Sequence, residues 1–352
     1  MSSEFGKSIK ISVFGQSHSK AIGVVIDGLP AGERINPVEL QAFMDRRRPN
    51  DHVSSTKRNE ADEVQILSGL KNSVTCGAPL CAVIENRDQR SEDYNNIIDV
   101  PRPGHADYTA YLKYKGFNDV SGGGHFSGRL TAPLCIAGGI ALQILARRGI
   151  AIGAHIVRIG SAKRAGYNPV TLCPADFEEE LLTPDMEKEI YSAAEASDSV
   201  GGVIECGILG LPAGLGDPMA EGIESVLAGA LFGIPAVKGV EFGAGFQVAA
   251  MRGSQNNDPF YMDGDAVKTK TNNAGGILGG ITTGMPLLFR IAVKPTSSIG
   301  IEQDSVSLSK KENAKLTVAG RHDSCIVPRA VPVAEAVAAM TILDILYSER
   351  KL

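Results

Sequence analysis

The chain contains no tryptophan, and aromatic residues make up only 5% of its 352 residues. Base-stacking platforms and aromatic cages are therefore not expected, because both need several aromatic faces. An excess of basic residues is missing too: 35 Lys and Arg against 40 Asp and Glu leave a net charge of −5. That balance argues against a nucleic-acid partner, whose binding rests on neutralised phosphates. Any anion site must then be a local concentration of arginine. The six cysteines form no Cys-x-x-Cys pair, the spacing a structural zinc site wants, and the chain is long for a disulfide scaffold. No metal is expected, and free thiols point to a reducing compartment. The first residues carry no apolar signal core, and no apolar run approaches the ~18–20 residues that span a bilayer. A soluble, cytoplasmic protein without a membrane partner is the expectation. No low-complexity linker divides the chain, which predicts one compact body over residues 1–352 rather than two hinged domains.

Glycine, by contrast, is plentiful. The chain holds 40 glycines, well above the usual ~7%. They lie singly and in short runs without a collagen-like period, which predicts tight turns and close backbone approaches. Apolar runs bounded by Gly and Pro predict strands at Ile9–Phe14, Ala21–Asp27, Leu80–Glu85, Ile150–Ile159, Gly202–Leu209 and Pro286–Lys294. Asn36-Pro37-Val38-Glu39 supplies an N-cap, a first-position proline and a first-turn acid; Thr183-Pro184 and Asp217-Pro218 repeat the device. Leu130–Arg148 is apolar nearly all round and reads as a buried helix, and Val331–Ser348 as a long closing helix. The mixture is α/β in class (α+β in arrangement). A strand leads into Gly28-Leu29-Pro30-Ala31-Gly32 and another into Gly210-Leu211-Pro212-Ala213-Gly214. This echo predicts two internally related halves.

Four of the six histidines sit in loops rich in Gly, Ser, Arg and Asp. Histidine exchanges protons near neutral pH, and arginine beside it points to anionic chemistry. His18 follows Ser17 in Gly15-Gln16-Ser17-His18-Ser19. The segment fails as a hydrolase nucleophile elbow, because Ser19 replaces the last glycine and a strand follows where a helix is needed. Arg46-Arg47-Arg48-Pro49 ends the first helix; one or two arginines can serve the helix dipole, and the rest can grip a phosphate or carboxylate. Arg102-Pro103-Gly104-His105-Ala106-Asp107 fixes Arg and His in one rigid turn, where Asp107 can cap the next helix or orient the imidazole. Gly122-Gly123-Gly124-His125-Phe126-Ser127-Gly128-Arg129 resembles a phosphate loop but matches neither G-x-G-x-x-G nor a P-loop. Lys294-Pro295-Thr296-Ser297-Ser298 offers one ammonium and three hydroxyls, good chemistry for a phosphate monoester. Gly275-Gly276-Ile277-Leu278-Gly279-Gly280 would let a flat ligand lie on bare backbone, and Gly320-Arg321-His322-Asp323 adds another Arg–His–Asp cluster. The residues alone read as an enzyme for polyanionic small molecules, with histidines moving protons and arginines binding.

These blocks in this order, from Gly6 to about Ala338, closely resemble the chorismate synthase family. The resemblance also covers Lys238-Gly239-Val240-Glu241-Phe242-Gly243 and Asn273–Gly284. It implies a β-α-β sandwich of its own type, assembled as a homotetramer. It also implies a 1,4-elimination of phosphate from 5-enolpyruvylshikimate 3-phosphate, giving chorismate with the help of reduced FMN. Carried over by motif, His18 would protonate the leaving phosphate and His105 would keep the reduced flavin in its proper protonation state. Asp323, with Ser17, would relay the proton taken from the substrate ring through the flavin. Arg47, Arg48, Arg102, Arg129 and Arg329 would hold substrate phosphate and carboxylates. The flavin would contact Arg47, His125, Phe126, Ser127, Ala236, Gly279, Lys294, Pro295, Thr296, Ser297, Ser298 and Arg321.

The chain departs from the family pattern in three places. Gln16 and Ser19 replace the usual Glu and Gly beside His18. His125 and Phe126 stand where an arginine and a serine are common. Val53 stands where many members carry an arginine linked to NADPH, which weakens the case for NADPH as the chain's own flavin reductant and leaves both it and an external flavin reductase open. The rival readings are a serine hydrolase built on Ser17 and His18, and a non-catalytic FMN-binding module.

Overall fold

The computed structural model describes residues 3–48, 62–86, 98–178, 180–318 and 323–349. Its first half contains strands β1 (Glu4–Phe5), β2 (Lys10–Phe14), β3 (Ala21–Asp27), β4 (Gln65–Ser68), β5 (Leu70–Lys71), β6 (Val74–Thr75) and β7 (Leu80–Glu85). Helices α1 (Pro37–Asp45), α2 (Asp107–Lys113) and α3 (Thr131–Ala146) accompany them. The second half contains β8 (Ala151–Ile159), β9 (Ala162–Lys163), β10 (Gly202–Leu209) and β11 (Val237–Phe242), with α4 (Pro184–Glu195), α5 (Ile223–Phe232) and α6 (Gly253–Asn256). Hairpins β12–β13 (Phe260–Asp263, Ala266–Thr269) and β14–β15 (Ile277–Leu278, Ile281–Thr282) follow, then β16 (Leu287–Val293), β17–β18 (Gln303–Ser307, Glu312–Leu316) and α7 (Val327–Ser348).

The capping chemistry explains where α1 and α4 begin. The Asn36 side chain accepts from the N–H groups of Val38 and Glu39, and Thr183 accepts from Met186. Asp217-Pro218 does not start an α-helix. It opens a 3-10 turn, Met219–Glu221, and α5 begins after Gly222 with no side-chain cap. The closing helix starts earlier than expected, at Val327, and holds Pro332 inside its first turns.

Two antiparallel sheets run in the orders β1-β2-β3-β7-β4 and β11-β16-β10-β8-β9. Helix α3 packs on the first sheet and α7 on the second, and the two helices pack on each other, so helices lie between sheets. Both are apolar and long enough to cross a bilayer, Gly128–Ala146 and Val327–Ser348, contrary to the expectation that no run approaches that length. Their surfaces are 78% and 94% buried inside the protein, so they are core helices. Gly138 is the close point: a methyl there would fall 2.7 Å from the Ala336 carbonyl carbon.

The echo between halves is structural. Thr75 Oγ1 donates to the Pro30 carbonyl (2.6 Å) and accepts from Glu33 N (2.8 Å). Thr282 Oγ1 donates to the Pro212 carbonyl (2.6 Å) and accepts from Leu215 N (2.9 Å). The threonines begin a second echo, Thr75-Cys76-Gly77-Ala78-Pro79-Leu80 and Thr282-Thr283-Gly284-Met285-Pro286-Leu287, each leading into a central strand. Spatial order repeats as well, with β2-β3-β7-β4 matched by β8-β10-β16-β11.

Candidate active site

The β2–β3 connection carries Ser17 and His18. Phe14 pairs with Gly23 across the antiparallel ladder, so the turn returns directly into a strand and the nucleophile-elbow geometry is absent. Ser19 closes this turn: its hydroxyl accepts from Gln16 N (2.9 Å) and lies 2.7 Å from the Ala21 carbonyl it donates to. The departure from the family glycine therefore adds a local brace. Ser17 N donates to the Gly124 carbonyl (3.0 Å), tying the turn to the glycine loop.

In that loop Gly122, Gly123 and Gly124 all have positive φ (59°, 84° and 54°), a conformation that costs other residues most. A methyl on Gly122 would fall 2.5 Å from His18 Nδ1 and 2.7 Å from Ser17 Oγ. One on Gly123 would fall 3.1 Å from His105 Nε2 and 3.5 Å from Arg102 Nη2. Two histidines far apart in sequence thus converge on bare backbone. The loop does not lie at the N-terminus of α3, because the 3-10 turn Gly128–Leu130 intervenes. What its glycines permit here is the approach of imidazoles.

His105 is oriented by Asp107. Its Nδ1 lies 2.5 Å from Asp107 Oδ1, and Arg102 reaches the same carboxylate through its backbone N (3.0 Å), Nε (2.8 Å) and Nη2 (2.8 Å). Burial pushes the Asp107 carboxyl up, but hydrogen bonds from Arg102 and His105 outweigh it and hold the group well below the usual carboxylate range. An ionised Asp107 fixes the proton on His105 Nδ1 and leaves Nε2 beside Gly123, where it accepts from Arg102 Nη2 (3.3 Å). Of the two roles open to Asp107, orientation is the one seen: α2 has no side-chain cap.

A cluster of guanidiniums stands beside the glycine loop. Arg47, 2% exposed, pairs with Asp62 through Nη2 and reaches Thr131 Oγ1 through Nη1 (3.4 Å). Arg129 pairs with the other oxygen of Asp62 through Nη1 and donates from Nε to Asn86 Oδ1 (3.2 Å). Arg329 donates from Nε to the Arg47 carbonyl (3.1 Å) and from Nη1 to Asp323 Oδ2 (3.0 Å). Burial raises the Asp62 carboxyl, yet the charges of Arg47 and Arg129 lower it further than burial lifts it. Burial, reinforced by Arg47 and Arg129, pushes Arg329 below the ordinary arginine range. Among the described residues three guanidiniums gather around the carboxylates of Asp62 and Asp323, a concentration of cations suited to binding an anion.

The 294–298 segment adjoins His105. Ser297 Oγ donates to the Gly104 carbonyl (2.8 Å) and accepts from Lys294 Nζ (2.8 Å), while Arg102 Nη1 donates to Ser298 Oγ (3.1 Å). Thr296 Oγ1 donates to the Asp323 carbonyl (2.9 Å), which brings Asp323 to the same region. Lys294 N donates to the carbonyl of Ala236, a non-glycine residue with φ 74°. Burial, with Lys238 nearby, lowers the Lys294 ammonium below its ordinary value.

Other expected residues are placed differently. Arg48 forms a surface pair with Asp45 (3.0 Å), and Arg46 grips Glu335 of α7 with both Nη atoms (2.6 and 2.8 Å). Of the triplet, only Arg47 enters the cluster. His125 spends its Nδ1 on the Gly15 carbonyl (2.7 Å) and its Nε2 on Ser3 Oγ (2.8 Å), so it braces the loop against the β2–β3 turn. Ser127 Oγ caps the following 3-10 turn at Arg129 N (3.3 Å), and the half-buried Phe126 ring lies 6.3 Å from that of Tyr114. Pro295 borders a shallow recess with Gly201 and Val293. Gly279 sits at the β14–β15 turn, beyond the start of β16, and Lys294 follows that strand's end, about 20 Å away at ~3.3 Å per residue. The structure does not bring these two together within one chain. Arg321, His322, Pro49 and Val53 lie outside the described residues. Sequence reasoning passed over Asp62 and Asn86, which stand in no recognisable motif.

A family model described as chorismate synthase matches residues 9–347. A chorismate synthase of Thermococcus kodakarensis is 48% identical over 98% of this chain and 98% of its own length. One of Dehalococcoides mccartyi is 46% identical over 98% and 96%. Among solved structures, a crystal structure of chorismate synthase superposes with a TM-score of 0.73 at 25% identity, covering 98% of this chain and 93% of the other.

Proposed function

The chain belongs to the chorismate synthase family, and from that premise we propose how its residues divide the reaction. The activity is the elimination of phosphate from 5-enolpyruvylshikimate 3-phosphate to give chorismate, in a family that uses reduced FMN. The observation that carries the assignment is the convergence of His18 and His105 on Gly122 and Gly123, beside the Arg47–Asp62–Arg129 cluster.

Arg47, Arg129 and Arg329 bind the substrate's phosphate and carboxylates, since clustered guanidiniums are suited to grip anionic oxygens. Arg48 drops out of this set because Asp45 engages it at the surface. His18 donates a proton to the leaving phosphate as general acid. Its turn is held by Ser19 and by the Ser17–Gly124 hydrogen bond, so the imidazole keeps its aim. Asp323 takes part in removing the ring proton, with its carboxylate fixed by Arg329 and its backbone by Thr296. Ser17, whose hydroxyl adjoins His18 across Gly122, assists the proton's exit.

The donor set of Lys294, Thr296, Ser297 and Ser298 fits a phosphate-bearing flavin: one ammonium, three hydroxyls and no carboxylate side chain among residues 294–298. When bound, reduced FMN supplies an electron-rich ring that shares charge with the developing centre of the substrate. His105, oriented by Asp107, holds its proton on Nδ1 and presents Nε2 to the cofactor. Ala236, Ser127, Phe126 and Arg321 remain proposed flavin neighbours, as does Gly279, for which a second copy of the chain would supply the contact. A homotetramer is consistent with that need. Reduction by an external reductase is favoured over NADPH oxidation by the chain, because Val53 cannot offer the charge that NADPH phosphate wants.

The test is phosphate release from 5-enolpyruvylshikimate 3-phosphate with dithionite-reduced FMN, without air. His18→Ala and His105→Ala should each cut the rate by about 10²–10⁴-fold, and near-normal rates in both would remove their roles. NADPH should not replace dithionite; if it does, the external-reductase reading is wrong.

A further inference from the structure

Asn86 has no part in the roles assigned above. It follows β7 directly and is 8% exposed. Its side-chain amide reaches in two directions. Oδ1 accepts from Arg129 Nε (3.2 Å), while Nδ2 donates to the carbonyls of Ser19 (2.7 Å) and Gln16 (3.3 Å). Its backbone N–H donates to the Lys20 carbonyl (3.1 Å). Hydrogen-bond chemistry fixes which way the amide points. Flipped, its NH2 would meet the Arg129 Nε–H donor and its oxygen would meet two carbonyls. The carbonyls it holds belong to the residues on either side of Ser17 and His18. The guanidinium it holds is the one that shares Asp62 with Arg47.

We propose that Asn86 is a positioning residue that couples the anion clamp to the acid, setting Arg129 and the His18 turn in one register. The inference rests on the reading of His18 as acid and Arg129 as anion ligand. Its physical basis is that a proton donor must stand at hydrogen-bond distance from the oxygen it protonates. A phosphate gripped by Arg129 is brought to that distance only if the turn and the guanidinium share a fixed frame. Aspartate at this position is nearly isosteric yet splits the two tasks. Its carboxylate still accepts from Arg129, but it sets an oxygen against the Gln16 and Ser19 carbonyls and pushes the turn away.

Steady-state kinetics on the full chain with reduced FMN, with inorganic phosphate as competing anion, separate the tasks. Asn86→Asp should lower kcat by about 10–100-fold, the range for an ångström-scale misplacement. The aspartate also sets a negative charge beside Arg129, so the variant's inhibition constant for phosphate should rise, but by a smaller factor than kcat falls. Asn86→Ser removes both contacts, so kcat should fall and phosphate inhibition should weaken by about tenfold, as for a lost charge-assisted hydrogen bond. Unchanged kcat in Asn86→Asp overturns the proposal, as does an equal loss of kcat and phosphate affinity there. Should Asn86→Asp not fold, Asn86→Ser decides alone: either parameter left unchanged overturns the coupling. A His18→Ala enzyme that keeps its rate would sink the reading beneath this one, whereas the phosphate constants still report on the Asn86–Arg129 contact.

Discussion

Gly122 is a residue at which the site has no room for a side chain. Its φ of 59° is left-handed, and a methyl would intrude on both His18 and Ser17. Gly122→Ala should therefore reduce kcat by about 10²-fold or more, because the acid is displaced from its reacting oxygen. The loss of stability should stay near 1–2 kcal/mol, the cost of a non-glycine residue in this conformation. Gly128→Ala is the control, since a methyl there meets nothing within 4 Å. Rates and melting curves for both variants check this, and an active Gly122→Ala enzyme would remove the steric argument. At this scale the sequence shows the chemistry and the Asp107 and Asp323 carboxylates, but not Asp62. His18, His105 and Arg102 stand in loops whose glycines and arginines announce a site. Asp62 stands in Glu60-Ala61-Asp62-Glu63, where nothing marks it. Its importance comes from contacts with Arg47 and Arg129, 15 and 67 positions away. Arg48 shares a motif with Arg47, yet in the turn after α1 it pairs with Asp45 at the surface.

Among the elements, the repeated threonine turns offer the sharpest comparison. Thr75 and Thr282 each satisfy one carbonyl and one N–H of a Gly-Leu-Pro-Ala-Gly bend. Valine has nearly the same shape without the hydroxyl, so each substitution strands two backbone groups. Thr75→Val and Thr282→Val should each cost about 1–3 kcal/mol, with similar values because the environments match. Urea unfolding of the two variants measures this; a loss confined to one of them would mean the echo is geometric but not energetic. Helix starts at Asn36 and Thr183 were legible because a cap is a local contract between a side chain and the next N–H groups. Asp217-Pro218 carries the same letters, but its chain tightens into a 3-10 turn before Gly222 releases α5. Local capping signals set a preference that the packing of the following turn can override.

Among the described residues of the molecule as a whole, the main apolar cluster runs through both sheets and through α3 and α7. That arrangement was only half legible. Repetition in the sequence announces two units, while the absence of a linker announces one body, and burial of α3 against α7 reconciles them. Gly138 sits at the contact, with Ala336 against the place where its side chain would be. Glycine costs a helix roughly 1 kcal/mol relative to alanine, so its presence here is explained by close helix approach. Gly138→Leu should then wedge the halves apart and destabilise the protein by about 1–3 kcal/mol or more. Because each sheet rests on one of the two helices, neither half can keep its fold while the other loses it. Hydrogen exchange should show amides of β3 and β10 losing protection in parallel, and calorimetry should show one transition. Protection lost in a single sheet would mean that the halves fold independently and that the shared helical layer merely joins them.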